Sequence, residues 1–255
     1  FPMKCTRIVI TAHNIEWARH AASSATGFAT SVIGCGCEAG IEREIDGSET
    51  PDGRPGISLL LFAMSGKELA KQIERRVGQC VLTCPTTAVF SGIAEGEAVA
   101  LGKNLRFFGD GWQISKLING VRYWRVPVMD GEFVAQERFG TGEEVAGGNI
   151  IMLAPDEVTV LRSAEAAVAA MRAVEGMILP FPGGIARSGS KPGSRYAALT
   201  FSGAPAIFTT CWPAVRLSRI SAPIARSRTR ATKSRTTLKL TSASSRASRM
   251  SRSAA

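Results

Sequence analysis

The order in which apolar periodicity changes along residues 7–84 constrains the fold more than any other feature of this sequence. Residues 7–12 are a β-branched run and read as a strand. Residues 14–26 place Ile15, Ala18, Ala22 and Ala25 on one helical face, with Asn14 as N-cap and Gly27 as the stop. A strand is expected over 29–34, and a polar Gly/Pro loop over 45–56. Residues 57–63 are a near-continuous apolar run, broken only by Ser58, and read as a buried strand. A helix over 67–77, with Leu69, Ile73 and Val77 stacked and Gly78 as its stop, precedes a strand over 79–84. The resulting order, strand–helix–strand–strand–helix–strand, is that of a ferredoxin-like α+β lobe with its helices on one face of the sheet.

Beyond this unit, residues 105–114 and 122–139 read as an added β segment, with Asp130-Gly131 as a hairpin turn. A strand over 150–154 and a helix over 162–175 then open a second βαββαβ lobe. The expected organisation is a first, proximal lobe over 1–145, the start of a second, distal lobe over 146–199, and a basic low-complexity tail over 200–255. Charge separates that tail from the rest. Of the 31 Lys and Arg, 20 lie in residues 1–200 beside all 21 Asp and Glu, which leaves 11 cations and no acid in residues 201–255. A solvated, disordered arm is the compositional reading. It has no aromatic after Trp212 to stack on bases, so only nonspecific nucleic-acid binding is expected of it.

Six cysteines in 255 residues are too sparse for a disulfide scaffold. Cys35/Cys37 and Cys80/Cys84 have metal-pair spacing, but only His13 and His20 are available to complete a zinc site, so buried thiols in a reduced, cytoplasmic protein are the expectation. The longest apolar run is too short to span a bilayer, and the initial Phe1 suggests that residues precede it.

Residues 25–33 (ATGFATSVI), 38–41 (EAGI), 49–56 (ETPDGRPG), 76–81 (RVGQCV), 83–86 (TCPT), 107–111 (FFGDG) and 131–133 (GEF) carry a family resemblance. It continues through 146–149 (AGGN), 164–168 (AEAAV), 174–176 (VEG), 180–185 (PFPGGI), Ser190-Lys191 and Gly193-Ser194, and no match is seen past about residue 198. In this order they resemble formylmethanofuran:tetrahydromethanopterin formyltransferase. The resemblance implies two ferredoxin-like lobes per subunit, a homotetramer, tetrahydromethanopterin and methanofuran as substrates, and no prosthetic group. It also implies that the proton-handling carboxylate belongs to a part of the second lobe not matched here, so no catalytic residue is assigned. On this reading, loss of acids after residue 200 has the look of a frame-shifted tail.

The implied reaction moves a formyl group between two amine nitrogens. It requires donors for a developing oxyanion, a proton path between the nitrogens, and close placement of two large substrates. Candidate substrate-binding residues are Asp52, Arg54, Thr83, Thr86, Asp110, Gly147, Gly148 and Lys191. Each has a plainer alternative. Gly147-Gly148, like Gly183-Gly184, either presents backbone N–H groups or makes a tight turn. Asp52 and Arg54 either bind substrate or form an Asp-Gly turn with a solvated cation, and Asp110 is a site carboxylate or a turn former. Thr83, Thr86 and Thr87 bind polar groups or cap a turn, and Lys191 contacts an anion or is simply exposed. Glu132 is assigned to its hairpin, and His13 and His20 to the helix start and surface. The competing function is a non-catalytic interaction protein on the same fold.

Overall fold

A computed structural model describes residues 1–94, 96–174, 176–187 and the backbone of 207–212. Its first half contains β1 (Pro2–Thr11), α1 (Ile15–Thr26), β2 (Thr30–Ser31), α2 (Val32–Cys35), β3 (Cys37–Ile45), β4 (Gly56–Ala63), α3 (Gly66–Arg76) and β5 (Ala88–Ser91). Next come β6 (Ala98–Ala100), α4 (Gly102–Leu105), β7 (Ile114–Ile118), β8 (Val121–Val128), β9 (Gly131–Gln136), β10 (Arg138–Gly140) and β11 (Gly142–Val145). The last elements are β12 (Gly148–Leu153), α5 (Glu157–Arg172), β13 (Ala186–Arg187) and β14 (Ile207–Trp212). Together they make a mixed α+β structure built on one large sheet.

That sheet has the order β2-β3-β4-β1-β5-β9-β8-β7, and β11 also pairs with β1. β1 runs antiparallel to β4 along one edge, from Lys4↔Ala63 to Thr11↔Gly56. Its other edge is shared by β5, over Ile8 to Thr11, and β11, over Pro2 to Cys5. Ile8, Ile10, Ile57, Leu59, Leu61 and Val89 point to one face, where they pack with Ala18, Ala21, Ala22 and Ala25 of α1 and Leu69 and Ile73 of α3. The four alanines let α1 approach the sheet closely. The intervening residues Met3, Cys5, Leu60 and Phe62 point the other way and pack on Ala146 and Ile178. A strand covered on both faces needs apolar residues at every position, which is why residues 57–63 show no alternation and why all of β4 is buried.

Local signals account for the helix ends. Asn14 Oδ1 accepts from Trp17 N at 3.1 Å, and Ser65 Oγ accepts from Glu68 N at 3.2 Å; such a cap contributes about 1 kcal/mol. A two-residue turn, Met129-Asp130, joins β8 to β9, with Val128 opposite Gly131, so the expected hairpin is present with its turn one residue earlier.

Several expectations are corrected. Residues 29–34 are not a full strand: Ser31 caps the one-turn α2, Gly36 takes φ 76°, and the long strand follows at Cys37–Ile45. Its buried start, Cys37, Glu38, Ala39 and Gly40, is too small and mixed to carry an apolar pattern. Residues 79–84 are not a strand either. The helix continues past Gly78 as a π turn, Val77–Val81, because Val77 and Val81 both lie on its buried side, and the strand is deferred to Ala88–Ser91. Residues 102–109 are helical turns, so the added β segment starts only at Ile114. α5 starts about one turn before residue 162, since Asp156 caps it and Val160 is already buried. Finally, β14 lies inside the segment read as a solvated tail and pairs with β12 over six residues, from Gly148↔Trp212 to Leu153↔Ile207. The low-complexity reading therefore fails for residues 207–212; the rest of 200–255 lies outside the described residues.

The contact between Gly40 and Ile178 is the sharpest packing constraint between the sheet and the later chain. A Cβ at Gly40 would stand 2.8 Å from Ile178 Cβ. Gly40→Ala is expected to lower unfolding free energy by about 1–3 kcal/mol, as overpacked cores do. A shift of the urea midpoint at constant slope checks this.

Candidate functional site

The sheet order brings four chain ends to one place. Thr11, the last residue of β1, lies opposite Gly56 of β4 and Ala88 of β5, and Ala88 in turn lies opposite Val134 of β9. The loops entering β4, β5 and β9 therefore meet beside the end of β1, although they are up to about eighty residues apart in sequence.

Their side chains form a hydrogen-bonded cluster. Thr11 Oγ1 donates to Asp52 Oδ2 at 2.7 Å. Arg54 donates from Nε to Asp52 Oδ2 at 2.8 Å, from Nη1 to the Thr86 carbonyl at 2.5 Å and from Nη2 to Thr11 Oγ1 at 3.2 Å. The guanidinium is thus fixed from three directions. Thr86 N donates to Asp130 Oδ2 at 2.9 Å, and His13 N donates to Thr86 Oγ1 at 3.2 Å. Thr86 has φ 64°, a left-handed conformation that costs a β-branched residue about 1–2 kcal/mol. The bonds from Asp130, Arg54 and His13 hold it there.

This cluster walls a cleft of about 280 Å3 lined by His13, Arg54, Cys84, Thr86, Asp130 and Glu132. Glu132 is paired with Arg125, whose Nε lies 2.6 Å from Oε2. Burial pushes the Cys84 thiol above its ordinary pKa, so the cleft holds a thiol rather than a thiolate nucleophile. An oriented cation beside two carboxylates can bind a small polar group and pass protons to or from it.

Of the residues singled out from the sequence, Asp52, Arg54 and Thr86 come together here. Thr83 does not: it is exposed, and its hydroxyl donates to the Gln79 carbonyl at 2.7 Å. Thr87 lines the cleft, but its hydroxyl is committed to Val81 O and Cys84 O. Asp110 is exposed at φ 49°, at the end of the turn Arg106–Gly109. Gly147 has φ 74°, and its N–H favours the ionised form of the buried Glu38 carboxylate. Gly148 is the exposed first residue of β12. Gly183 and Gly184 both have positive φ in the short turn Pro182–Gly184. Lys191 lies outside the described residues. Asp130 and Glu132, assigned to a hairpin from the sequence, in fact face the cleft; nothing in a turn signal separates the two roles.

A second, larger cleft of about 1250 Å3 opens over the other face of the sheet. Its lining includes Arg7, Glu42 and Ser58, none of which was singled out from the sequence. Arg7 Nε and Nη2 donate to the two oxygens of Glu42 at 2.7 and 2.6 Å, and Ser58 Oγ donates to Glu42 Oε2 at 2.6 Å. A β-bulge between Ile41 and Arg43 leaves Glu42 with no residue opposite it in the register of β4. The available signal was polarity out of place: Arg7 in a β-branched strand, and Ser58 in the apolar run. Among the described residues no group of three or more His, Cys, Asp and Glu side chains is placed to hold a metal ion.

Comparison with known proteins gives concordant matches. The family model described as formylmethanofuran-tetrahydromethanopterin formyltransferase matches residues 1–128, and one described as FTR, proximal lobe, matches residues 131–226. The second match runs past residue 198, where the sequence resemblance was seen to end, and attaches the word proximal to the later segment, not the earlier one. A formylmethanofuran–tetrahydromethanopterin formyltransferase of Methylococcus capsulatus is 63% identical over 202 residues, covering 79% of this chain and 68% of the relative. The chain thus spans about two thirds of that relative's length. A crystal structure of the formyltransferase/hydrolase complex of Methylorubrum extorquens with methylofuran contains a chain with TM-score 0.77 and 41% identity, covering 83% of this chain and 77% of that one. The Methanosarcina barkeri formyltransferase structure gives TM-score 0.74 at 41% identity, covering 83% and 79%.

Two outcomes are expected of this local structure. Asp130→Ala removes the acceptor from Thr86 N and should lower stability by about 0.5–1.5 kcal/mol, while Asp130→Asn retains a carbonyl oxygen there and should lose less; denaturant unfolding of both variants checks it. Glu38 tests the Gly147 turn. Burial pushes its carboxyl above the ordinary range, against the opposing effects of the Gly147 N–H and the amino terminus. A carboxyl whose pKa is raised in the folded state favours folding when protonated, so its ionised form weakens the fold at neutral pH. Glu38→Gln should therefore raise the unfolding midpoint at pH 7, and the gain should vanish below about pH 4.

Proposed function

This chain belongs to the formylmethanofuran–tetrahydromethanopterin formyltransferase family, and we propose that its smaller cleft is where a substrate head group is bound for formyl transfer. The observation that carries the reading is the convergence of Asp52, Arg54 and Thr86 with Asp130 at one cleft, from segments far apart in sequence. The two coenzymes are substrates, exchanging a formyl group between nitrogens. A cleft of about 280 Å3 suits the reacting end of one of them rather than a whole coenzyme.

Arg54 is the principal binding group. Its charge-assisted donors suit a carbonyl or anionic oxygen, and Asp52 and Thr11 fix its plane before substrate arrives, which lowers the ordering cost of binding. Asp130 holds the Thr86 peptide against Arg54. When the formyl carbon is attacked, one C–N bond forms and another breaks, and a proton must leave the attacking nitrogen and reach the departing one. Asp130 and Glu132 lie at the cleft wall as acceptors for polar N–H groups. Thr83, Asp110, Gly147, Gly148 and Lys191 remain proposed substrate contacts through the family resemblance, with less local support than the cluster has.

For the finer architecture we propose two ferredoxin-like lobes. The strand order β3-β4-β1-β5, with α1 and α3 on one face, supports the first, near residues 1–145. The separate sheet β12-β14-β13 beside α5 supports the start of the second, from about residue 146. A homotetramer is proposed from the resemblance, and the named complex of Methylorubrum extorquens is a related chain working inside a larger assembly. A cytoplasmic location is proposed with it: no helix among the described residues is long and apolar enough to cross a membrane, and Cys5, Cys35, Cys37, Cys80 and Cys84 are free thiols.

Arg54→Ala is the direct test. Loss of hydrogen bonds from a charged donor, about 1.5–3 kcal/mol, should lower kcat/KM for formyl transfer by roughly 10- to 150-fold without loss of the folded state. A variant within about twofold of the parent would remove Arg54 from the site.

A further inference from the structure

We propose that the larger cleft is a second ligand site, in which the free edge of Arg7 receives an oxyanion, a carboxylate or a phosphate, at one end of an elongated ligand. This does not rest on the assignment of the smaller cleft.

Arg7 is held as a fixed donor. Two of its nitrogens are bonded to Glu42, and the two side chains are only 16% and 5% exposed. Nη1 has no acceptor among the described residues, and Arg7 lines the cleft. A guanidinium pinned along one edge with the other edge open is preorganised for a bidentate or single-oxygen acceptor.

The chain makes room for this arrangement. At Gly92 a Cβ would stand 2.5 Å from Arg7 Cγ and 2.6 Å from Cδ, so the side chain lies across a position that only glycine leaves open. The bulge at Glu42 and the serine at position 58 supply the other side of the clamp.

Charge favours an anion. The cleft lining carries Arg7, Arg43, Arg122 and Arg138 against Glu42, Glu49 and Glu137, four cations to three anions. Arg122 pairs with Glu137, and Arg138 has no carboxylate partner among the described residues. Val9, Ile45, Leu117 and Tyr123 add apolar and aromatic surface, so an apolar body ending in an oxyanion matches the lining better than a bare ion.

Titration calorimetry of the full chain with inorganic phosphate, and separately with glutarate, tests the proposal. Saturable binding is expected for at least one probe. Replacing the ion pair by R7M/E42M removes both charges at once, a change that folds tolerate, and should abolish the binding while the melting temperature holds. Gly92→Ala, which displaces Arg7, and Arg138→Gln should each weaken binding by about fivefold or more; they carry the test should R7M/E42M fail to fold. Arg54→Ala should leave binding unchanged, which separates this site from the smaller cleft. Inhibition of formyl transfer by the probe assigns the oxyanion to a coenzyme substrate, and binding without inhibition assigns it to a separate ligand. No saturable binding of either probe, or equal binding by the folded R7M/E42M variant, overturns the proposal.

Discussion

β1 is hydrogen-bonded along both edges and covered on both faces, and the arrangement of the large sheet and of the helices packed on it follows from it. Its edges fix the neighbours: β4 on one side, β5 and β11 on the other. Its alternation divides the protein into a helix-covered face, reached by Ile8 and Ile10, and an opposite face reached by Cys5, Arg7 and Val9. Ten residues of one strand therefore set the register of the sheet, the position of the helices and the location of two clefts.

Both clefts attach to this strand, but by different physics. At its end, Thr11 ties Asp52 and Arg54 into a loop cluster exposed enough to meet a solute, where hydrogen bonds to a charged donor are formed at modest desolvation cost. In its middle, Arg7 is mostly buried, and its charge is tolerated because Glu42 pairs with it, while Ser58 in turn donates to Glu42. The first arrangement rests on side chains of single loop residues. The second requires a bulge, a glycine and a serine together.

Legibility in the sequence followed the strength of the local physics. The helix cap Asn14, the buried run of β4 and the hairpin at Asp130 were visible because each depends on neighbours in the chain. β3 was misplaced because its buried residues are small, and the π turn after α3 looked like a strand because Val77 and Val81 suit either state. β14, an uncharged run rich in β-branched and aromatic residues, was missed because its partner strands lie far away in sequence and it was read together with the basic segment that follows. At the site, Asp52 and Arg54 stood out in a Gly/Pro loop, whereas Thr11, Asp130 and Glu42 acquire a role only once distant strands are paired.

The central claim is that the loop cluster at the end of β1 receives the reacting end of a coenzyme. A crystal structure of the chain with bound formylmethanofuran tests it most directly. The account predicts an oxygen of the ligand's reacting end within hydrogen-bond distance of Arg54, beside Thr86. Well-defined ligand density whose reacting end lies away from that cluster contradicts it.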